Sequence, residues 1–405
     1  MKRNILLITL AALLTLLTSC RDEAPEIYDP NDLDYLTLTQ QFDRVWQGIN
    51  NYYSWWEVDT TDWDAARAKY RPQIEQLDRD DFVSTDELER IYTEMCGSLR
   101  DHHMAIFIQN IRHADSDRAS FWVSPGGDEA ASRPYYHVQQ EERLFSDAFS
   151  ESFHKTGRTS NVKETFANTS RDAEHYLSCL IDNDILYLRL SIFFITYRFS
   201  KLTDSFNRQV KDVVDNYINL AQNHANLKGV IVDVRNNGGG YNNDQNYVMG
   251  PLIDDKFLIG YFRSKTGTGR YDFGPWTPYS LYPYSKERLA PKCPVVVLAD
   301  VRSISNAEIT AQIAKQMPNG IVVGERTYGA TGSLVDDVDL YYNGSFGSTS
   351  GDHYVKTTTW MYKTANDEIV EGIGITPDIS CPFDAESLKT GIDNQLNAAI
   401  EYIKR

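Results

Sequence analysis

Residues Pro294 to Thr327 run strand, turn, helix, strand, an order that few architectures accommodate. Val295 to Leu298 is a short, continuous apolar run of the kind a strand buried on both faces uses. Ala307 to Met317 reads as a helix in which Ala307, Ile309, Ala311, Ile313 and Ala314 spread apolar surface over most of the cylinder, and Pro318-Asn319-Gly320 stops it. Gly320 to Gly324 then returns as a second apolar strand. Ser303 and Ser305 occupy the turn between the first strand and the helix. A hydroxyl there is either a helix cap, for which serine is a preferred residue, or a nucleophile beside unpaired N–H groups that favour developing negative charge.

A second strand–helix–strand unit lies upstream. Ile185 to Leu190 is a strand, Leu202, Phe206, Val210, Val213, Tyr217 and Leu220 mark a helix, and Lys228 to Arg235 is another buried strand. Such units require parallel pairing and a right-handed crossover, so the fold class is α/β. The second strand ends in Asn236-Asn237-Gly238-Gly239-Gly240, where backbone N–H groups can approach a ligand that a Cβ would hold off. Neither GxGxxG nor GxxxxGK[ST] is present, which excludes a Rossmann or P-loop nucleotide site on spacing. An oxyanion or peptide-backbone site and a plain tight turn stay open. Residues 241–293 are an aromatic, Pro-rich excursion read as a packed loop or a lid.

The N-terminal half differs in character. Lys2 and Arg3 precede the apolar run Ile5 to Leu17 and then Leu17-Thr18-Ser19-Cys20, which reads as a signal peptide ending in a bacterial lipobox with Cys20 as the lipidated residue. Residues 1–19 are the expected signal and 20–33 an acidic, Pro-containing tether. Residues 34–104 form a small helical subdomain: Phe42, Trp46, Ile49 and Tyr53 recur at helical spacing, and Ser84 to Glu87 is a capping box. The subdomain ends in Asp101-His102-His103, a histidine pair on a helix-to-strand junction. HxH and HxxxH spacings are absent, so no metal is expected. Residues 105–180 are read as a β-rich connecting region with hairpins near Trp122 and Tyr135, and 181–405 as the core, closed by a helix over Asp384 to Ile403.

The 405 residues carry a net charge of −17 spread along the chain, which argues against a nucleic-acid partner. Cys96, Cys179, Cys293 and Cys381 are widely separated without a CxxC pair, so they form neither a metal motif nor a recognisable disulfide framework.

Three separated blocks converge. Asp233 to Gly240, then Ser303 to Glu308 with Gly324-Glu325-Arg326-Thr327-Tyr328-Gly329, then Glu371 to Asp378 resemble, in this order, the signature blocks of the S41 peptidases, the family of the C-terminal processing proteases and the tricorn core protease. The resemblance implies a ClpP/crotonase-like α/β core, a peptide or protein substrate and no cofactor. The processing-protease branch uses a lysine at the position held here by Ala330, so the match is to the tricorn-like branch. That branch implies Ser305 as nucleophile, His103 as base and Glu371 as the acid behind it, with the oxyanion held by amides of Asn306, Gly239 and Gly240. His102 stands where the tricorn core has a serine and, with Ser303, is a candidate auxiliary residue. No PDZ segment is recognised between His103 and Ile185. The chain is thus expected to be a lipid-anchored serine peptidase of the bacterial cell envelope, on the periplasmic or surface side of a membrane. The alternative is an inactive S41-fold lipoprotein that binds peptides or other ligands.

Overall fold

The computed structural model describes residues 36–405 except 81, 112–113, 115–119, 134–135, 138–140, 169–172 and 335–343. The signal, the lipobox with Cys20, the whole tether and Tyr135 therefore lie outside the described residues. Three helices come first, Leu38–Tyr52, Trp63–Leu77 and Thr85–Cys96, with Thr37, Asp62 and Ser84 each accepting an N–H of the first turn. Their aromatic residues are core: Phe42, Trp46, Trp63 and Tyr92 pack with Ile106, Ile108 and Val355. The indoles of Trp46 and Trp63 stack at 6.2 Å between ring centroids.

Strands β1 (Ala105–Ile108) and β2 (Phe121–Val123) form a hairpin-like pair in a four-stranded sheet of order β11-β12-β1-β2, completed by β11 (Phe346–Gly347) and β12 (His353–Lys356). After β2 the chain turns into a helix, Pro125–Ala131, where the sequence had suggested a hairpin near Trp122. Residues from the stretch read as a connecting region thus pair with strands more than two hundred residues downstream, Ala105 opposite Lys356 and Ile108 opposite His353.

The central sheet has seven strands in the order β14-β10-β9-β6-β5-β4-β3. β5 (Ile185–Leu190), β6 (Gly229–Asp233), β9 (Val295–Ala299), β10 (Gly320–Gly324) and β14 (Ile379–Ser380) run parallel, and β4 (Ala173–Ile181) and β3 (Thr159–Asn168) extend them antiparallel. Every residue of β5, β6 and β9 is buried, as a sheet covered by helices on both faces demands. Helix Ser205–Asn223 crosses from β5 to β6, and helix Asn306–Gln316 from β9 to β10, the two βαβ units legible in the sequence. A third sheet, β13-β7-β8, is built from β7 (Phe257–Arg263), β8 (Thr277–Leu281) and β13 (Met361–Thr364), so the aromatic excursion contains a packed hairpin. The single C-terminal helix expected over Asp384 to Ile403 is two, Ala385–Lys389 and Asn394–Ile403, because Gly391 takes φ +85° between them. The four described cysteines are free thiols.

Candidate active site

β6 and β9 are adjacent and parallel, so the loops leaving their C-terminal ends meet at one edge of the sheet, where α/β folds characteristically place ligands. The Ile304 amide donates to the Asn237 carbonyl (2.9 Å) and the Asn236 amide to Asp300 Oδ1 (3.1 Å), which fastens the two loops together. Phe193 N–H donates to the Gly239 carbonyl (2.8 Å) and Tyr241 N–H to the Phe193 carbonyl (2.8 Å). A Cβ on Gly240 would stand 2.1 Å from that Phe193 carbonyl oxygen, so no other residue fits.

Ser305 sits at the start of helix Asn306–Gln316 with φ +59° and ψ −116°, a conformation L residues rarely adopt. Its amide donates to Glu308 Oε2 (3.1 Å) and the Glu308 amide donates to the Ser305 carbonyl (2.9 Å), so backbone groups of both residues close the first turn. The Ser305 side chain stands at this capped helix start and also lines a cleft of about 620 Å³. His103 lines the same cleft, as do Gly238 and Gly240. The histidine pair belongs to the junction between helix Thr85–Cys96 and β1, and Asp101 fixes that junction. The buried Asp101 carboxylate accepts from the His103 amide (2.9 Å), Thr357 Oγ1 (2.6 Å), and the amide (2.6 Å) and hydroxyl (2.8 Å) of Thr358.

Glu371 lies beside His103. A ring nitrogen of His103 and carboxylate oxygens of Asp101 and Glu371 all fall within 4.8 Å of one another. Glu371 Oε1 accepts from the His102 amide (3.0 Å), and Oε2 from the amides of Thr331 (2.7 Å) and Gly332 (2.8 Å) and the Thr331 hydroxyl. Burial pushes the Glu371 carboxyl well above its usual range, Asp101 adding to this and the Gly332 and Thr331 amides opposing it. Burial also lowers His103, to about 3, with Lys356 and His102 contributing, so the ring is neutral at pH 7. Its buried Nδ1 has no hydrogen-bond partner. Asp101, His103 and Glu371 have the spacing of a metal-ligand set, but every oxygen of both carboxylates already accepts protein donors. The donor set therefore suits an acid–base network better than a cation.

Several expected participants are placed elsewhere. The Gly239 amide is taken by Asn237 Oδ1 (2.8 Å), so Gly239 is not a free oxyanion donor; its φ of +90° and close contact with Ser305 make its role steric. Gly240 and Asn306 flank the serine and keep their positions as candidate donors. Ser303 is fully buried, its hydroxyl donating to the Val234 carbonyl (2.8 Å) and accepting from the Asp300 amide, so it braces the turn and is not an auxiliary catalytic group. The His102 ring packs on Tyr328 and Gly126, and the residue reaches Glu371 through its backbone amide alone. Ala330 is buried with Ala130, Val301 and Tyr328, and its methyl side chain offers no amine to act as a base. Two residues went unrecognised: Glu308, whose S-x-x-E spacing from Ser305 was its signal, and Lys356 in the cleft wall, which had none.

Known proteins resemble the chain in sequence and in fold. The chain is 30% identical over 167 residues to the chloroplastic C-terminal processing peptidase of Tetradesmus obliquus, covering 41% of this chain and 31% of that protein. It is 28% identical over 196 residues to the nisin-resistance protein of Lactococcus lactis subsp. lactis, covering 47% and 54%. It thus spans about a third to a half of the length of these relatives. Among solved structures, one from Parabacteroides merdae ATCC 43184 superposes with a TM-score of 0.61 at 20% identity, covering 92% of this chain and 98% of that one. Mature CPAF complexed with lactacystin superposes with a TM-score of 0.54 at 11% identity, covering 91% and 97%; at these identities the likeness is one of fold. The profile of peptidase family S41 matches residues 184–381, a span that begins just before β5 and ends just after β14.

Proposed function

We propose that the chain is a serine peptidase that hydrolyses peptide bonds through an acyl-enzyme, with Ser305 as nucleophile, His103 as base and Glu371 as the acid that orients it. The observation that carries this reading is one cleft lined by both a serine held at a strained helix start and a neutral, carboxylate-backed histidine. Ser305 Oγ bonds to the substrate carbonyl carbon as its proton passes to the His103 ring, and the oxyanion forms beside the Asn306 and Gly240 amides. Collapse expels the amine, which takes the proton from the imidazolium; water then repeats the sequence and releases the acid. Ser305→Ala is expected to abolish peptide hydrolysis and fluorophosphonate labelling, and persistence of both in the purified variant would sink the assignment.

The second reading, a binding protein without turnover, is favoured by the unpartnered His103 Nδ1 and by the engaged Gly239 amide. Cleavage of any member of a broad peptide library by the pure protein rejects it. The proposal extends to Cys20 as a lipid anchor in a bacterial envelope, supported by the Leu17-Thr18-Ser19-Cys20 sequence. Cys20→Ala should move the protein from the membrane to the soluble fraction.

A further inference from the structure

The cleft of Ser305 and His103 holds another ionisable side chain, Lys356, that has no part in the chemistry above. It ends β12, opposite Ala105 in β1, two residues after the base. Along β12, His353 and Val355 are buried while Tyr354 and Lys356 are partly exposed, which puts the lysine at the cleft wall. The remaining described lining residues, among them Phe194, Tyr241, Asn242, Ile304 and Ser333, carry no formal charge. Other lysines of this acidic chain find carboxylates: Lys315 pairs with Asp378 at 2.6 Å, Lys228 with Asp184 at 2.6 Å and Lys404 with Asp182 at 2.8 Å. No hydrogen bond or ion pair engages the Lys356 ammonium among the described residues. An ammonium drawn partly out of water without a partner is under-compensated, and a ligand carboxylate would supply what is missing.

We propose that Lys356 is a specificity residue whose ammonium receives a carboxylate of the substrate, from an acidic side chain next to the scissile bond or from a free C-terminus just beyond it. The proposal rests on the peptidase reading for the word substrate, and on cleft geometry for the rest. The same ammonium contributes to lowering the basicity of His103, whose other charged or titratable neighbours are Asp101, Glu371 and His102. A carboxylate bound to Lys356 offsets that field, so an anionic substrate both docks and strengthens the base.

The test uses the full chain. Cleavage sites are first mapped by mass spectrometry on a mixture of tetradecapeptides. Matched pairs of one cleaved peptide are then compared: Glu against Gln next to the cleaved bond, and free acid against C-terminal amide. The carboxylate member of at least one pair should have a kcat/KM about 10- to 100-fold higher, the range of one charge-assisted hydrogen bond, and the pair that responds identifies the source. Lys356→Gln should erase the preference, Lys356→Arg should keep it, and Lys356→Glu should invert it toward Lys-containing peptides. Equal rates within both pairs, with hydrolysis still dependent on Ser305, overturn the proposal and leave the peptidase reading intact. Loss of hydrolysis of neutral peptides in Arg and Gln variants alike also overturns it, since Lys356 would then be moving protons. If the wild-type protein cleaves nothing, the peptidase reading fails, and fluorescence anisotropy of labelled tetradecapeptide pairs, Glu against Gln at one central position and free acid against C-terminal amide, decides the lysine subsite. Binding of the carboxylate member at least tenfold weaker to Lys356→Gln supports it, and equal or absent binding overturns it.

Discussion

Ser305 stores backbone strain where the proposed chemistry needs an accessible hydroxyl. Its φ of +59° costs on the order of 1–3 kcal/mol for a residue with a Cβ. The turn persists because the Ile304 amide on Asn237 and the Ser305 amide on Glu308 hold both sides of it. Gly239 completes the fit: a Cβ there would lie 2.6 Å from Ser305 Cβ and 2.8 Å from the Ile304 carbonyl oxygen, at a φ of +90°. Gly239→Ala should therefore lower stability by about 2–4 kcal/mol and peptide hydrolysis by 100-fold or more. Urea denaturation together with a peptide assay checks this, and a variant matching wild type in both would remove the steric role. The serine itself was legible in the sequence as standing at a helix start. Its strained backbone was not, because the positive φ is imposed by neighbouring loops and leaves no mark in a local pattern.

Among the elements, helix Asn306–Gln316 is anchored by its third residue. Glu308 is fully buried; Oε2 accepts from the amides of Ser305 (3.1 Å) and Ala330 (2.7 Å), and Oε1 from Thr327 Oγ1 (2.6 Å) and the Gly329 amide (2.8 Å). One carboxylate thus ties the helix start to the loop after β10. Burial raises its pKa, while the Thr327 hydroxyl and the Gly329, Ala330 and Ser305 amides pull the other way. Glu308→Gln replaces one acceptor oxygen by an NH₂ that must face two N–H or O–H donors. A loss of about 2–4 kcal/mol is expected, with a fall in kcat as the Ser305 turn loosens. Chemical denaturation of the variant should show the loss, and a change below 1 kcal/mol would contradict the bracing role. The S-x-x-E spacing marked a helix start, but the partners of the glutamate come from residues 327–330, beyond the reach of a local pattern.

At the scale of the molecule, one buried carboxyl links stability to pH. Asp300, between β9 and Ser305, accepts from the Asn236 and Arg302 amides through Oδ1, while its buried Oδ2 has no partner. Burial pushes its pKa up to about 7. Between about pH 4 and 7 the folded chain therefore holds a proton that the unfolded chain, with an aspartate pKa of about 3.9, has released. Stability from this group is fully present below the unfolded value and is lost as pH rises through 7. Asp300→Asn keeps the Oδ1 acceptor and cannot ionise, so its stability relative to wild type should rise across that window, on the order of 2–4 kcal/mol in total. Urea midpoints of both proteins from pH 4.5 to 8 measure this, and parallel curves would rule it out.

The sequence by itself determined the parts whose information is local. Short apolar runs specified β5, β6, β9 and β10, helical periodicity gave the crossovers between them, and the ordered blocks from Asp233 to Asp378 marked the region that the S41 profile matches. Pairing partners were beyond it, because a short strand carries its period but not the identity of its neighbour. The register of β1 against β12 decided that Lys356 stands beside His103, and packing decided that Ser303 and Ala330 are interior while Ser305 is not. Contacts of this kind are separated by up to about 250 residues, and only chain closure brings their partial charges close enough to act on one another.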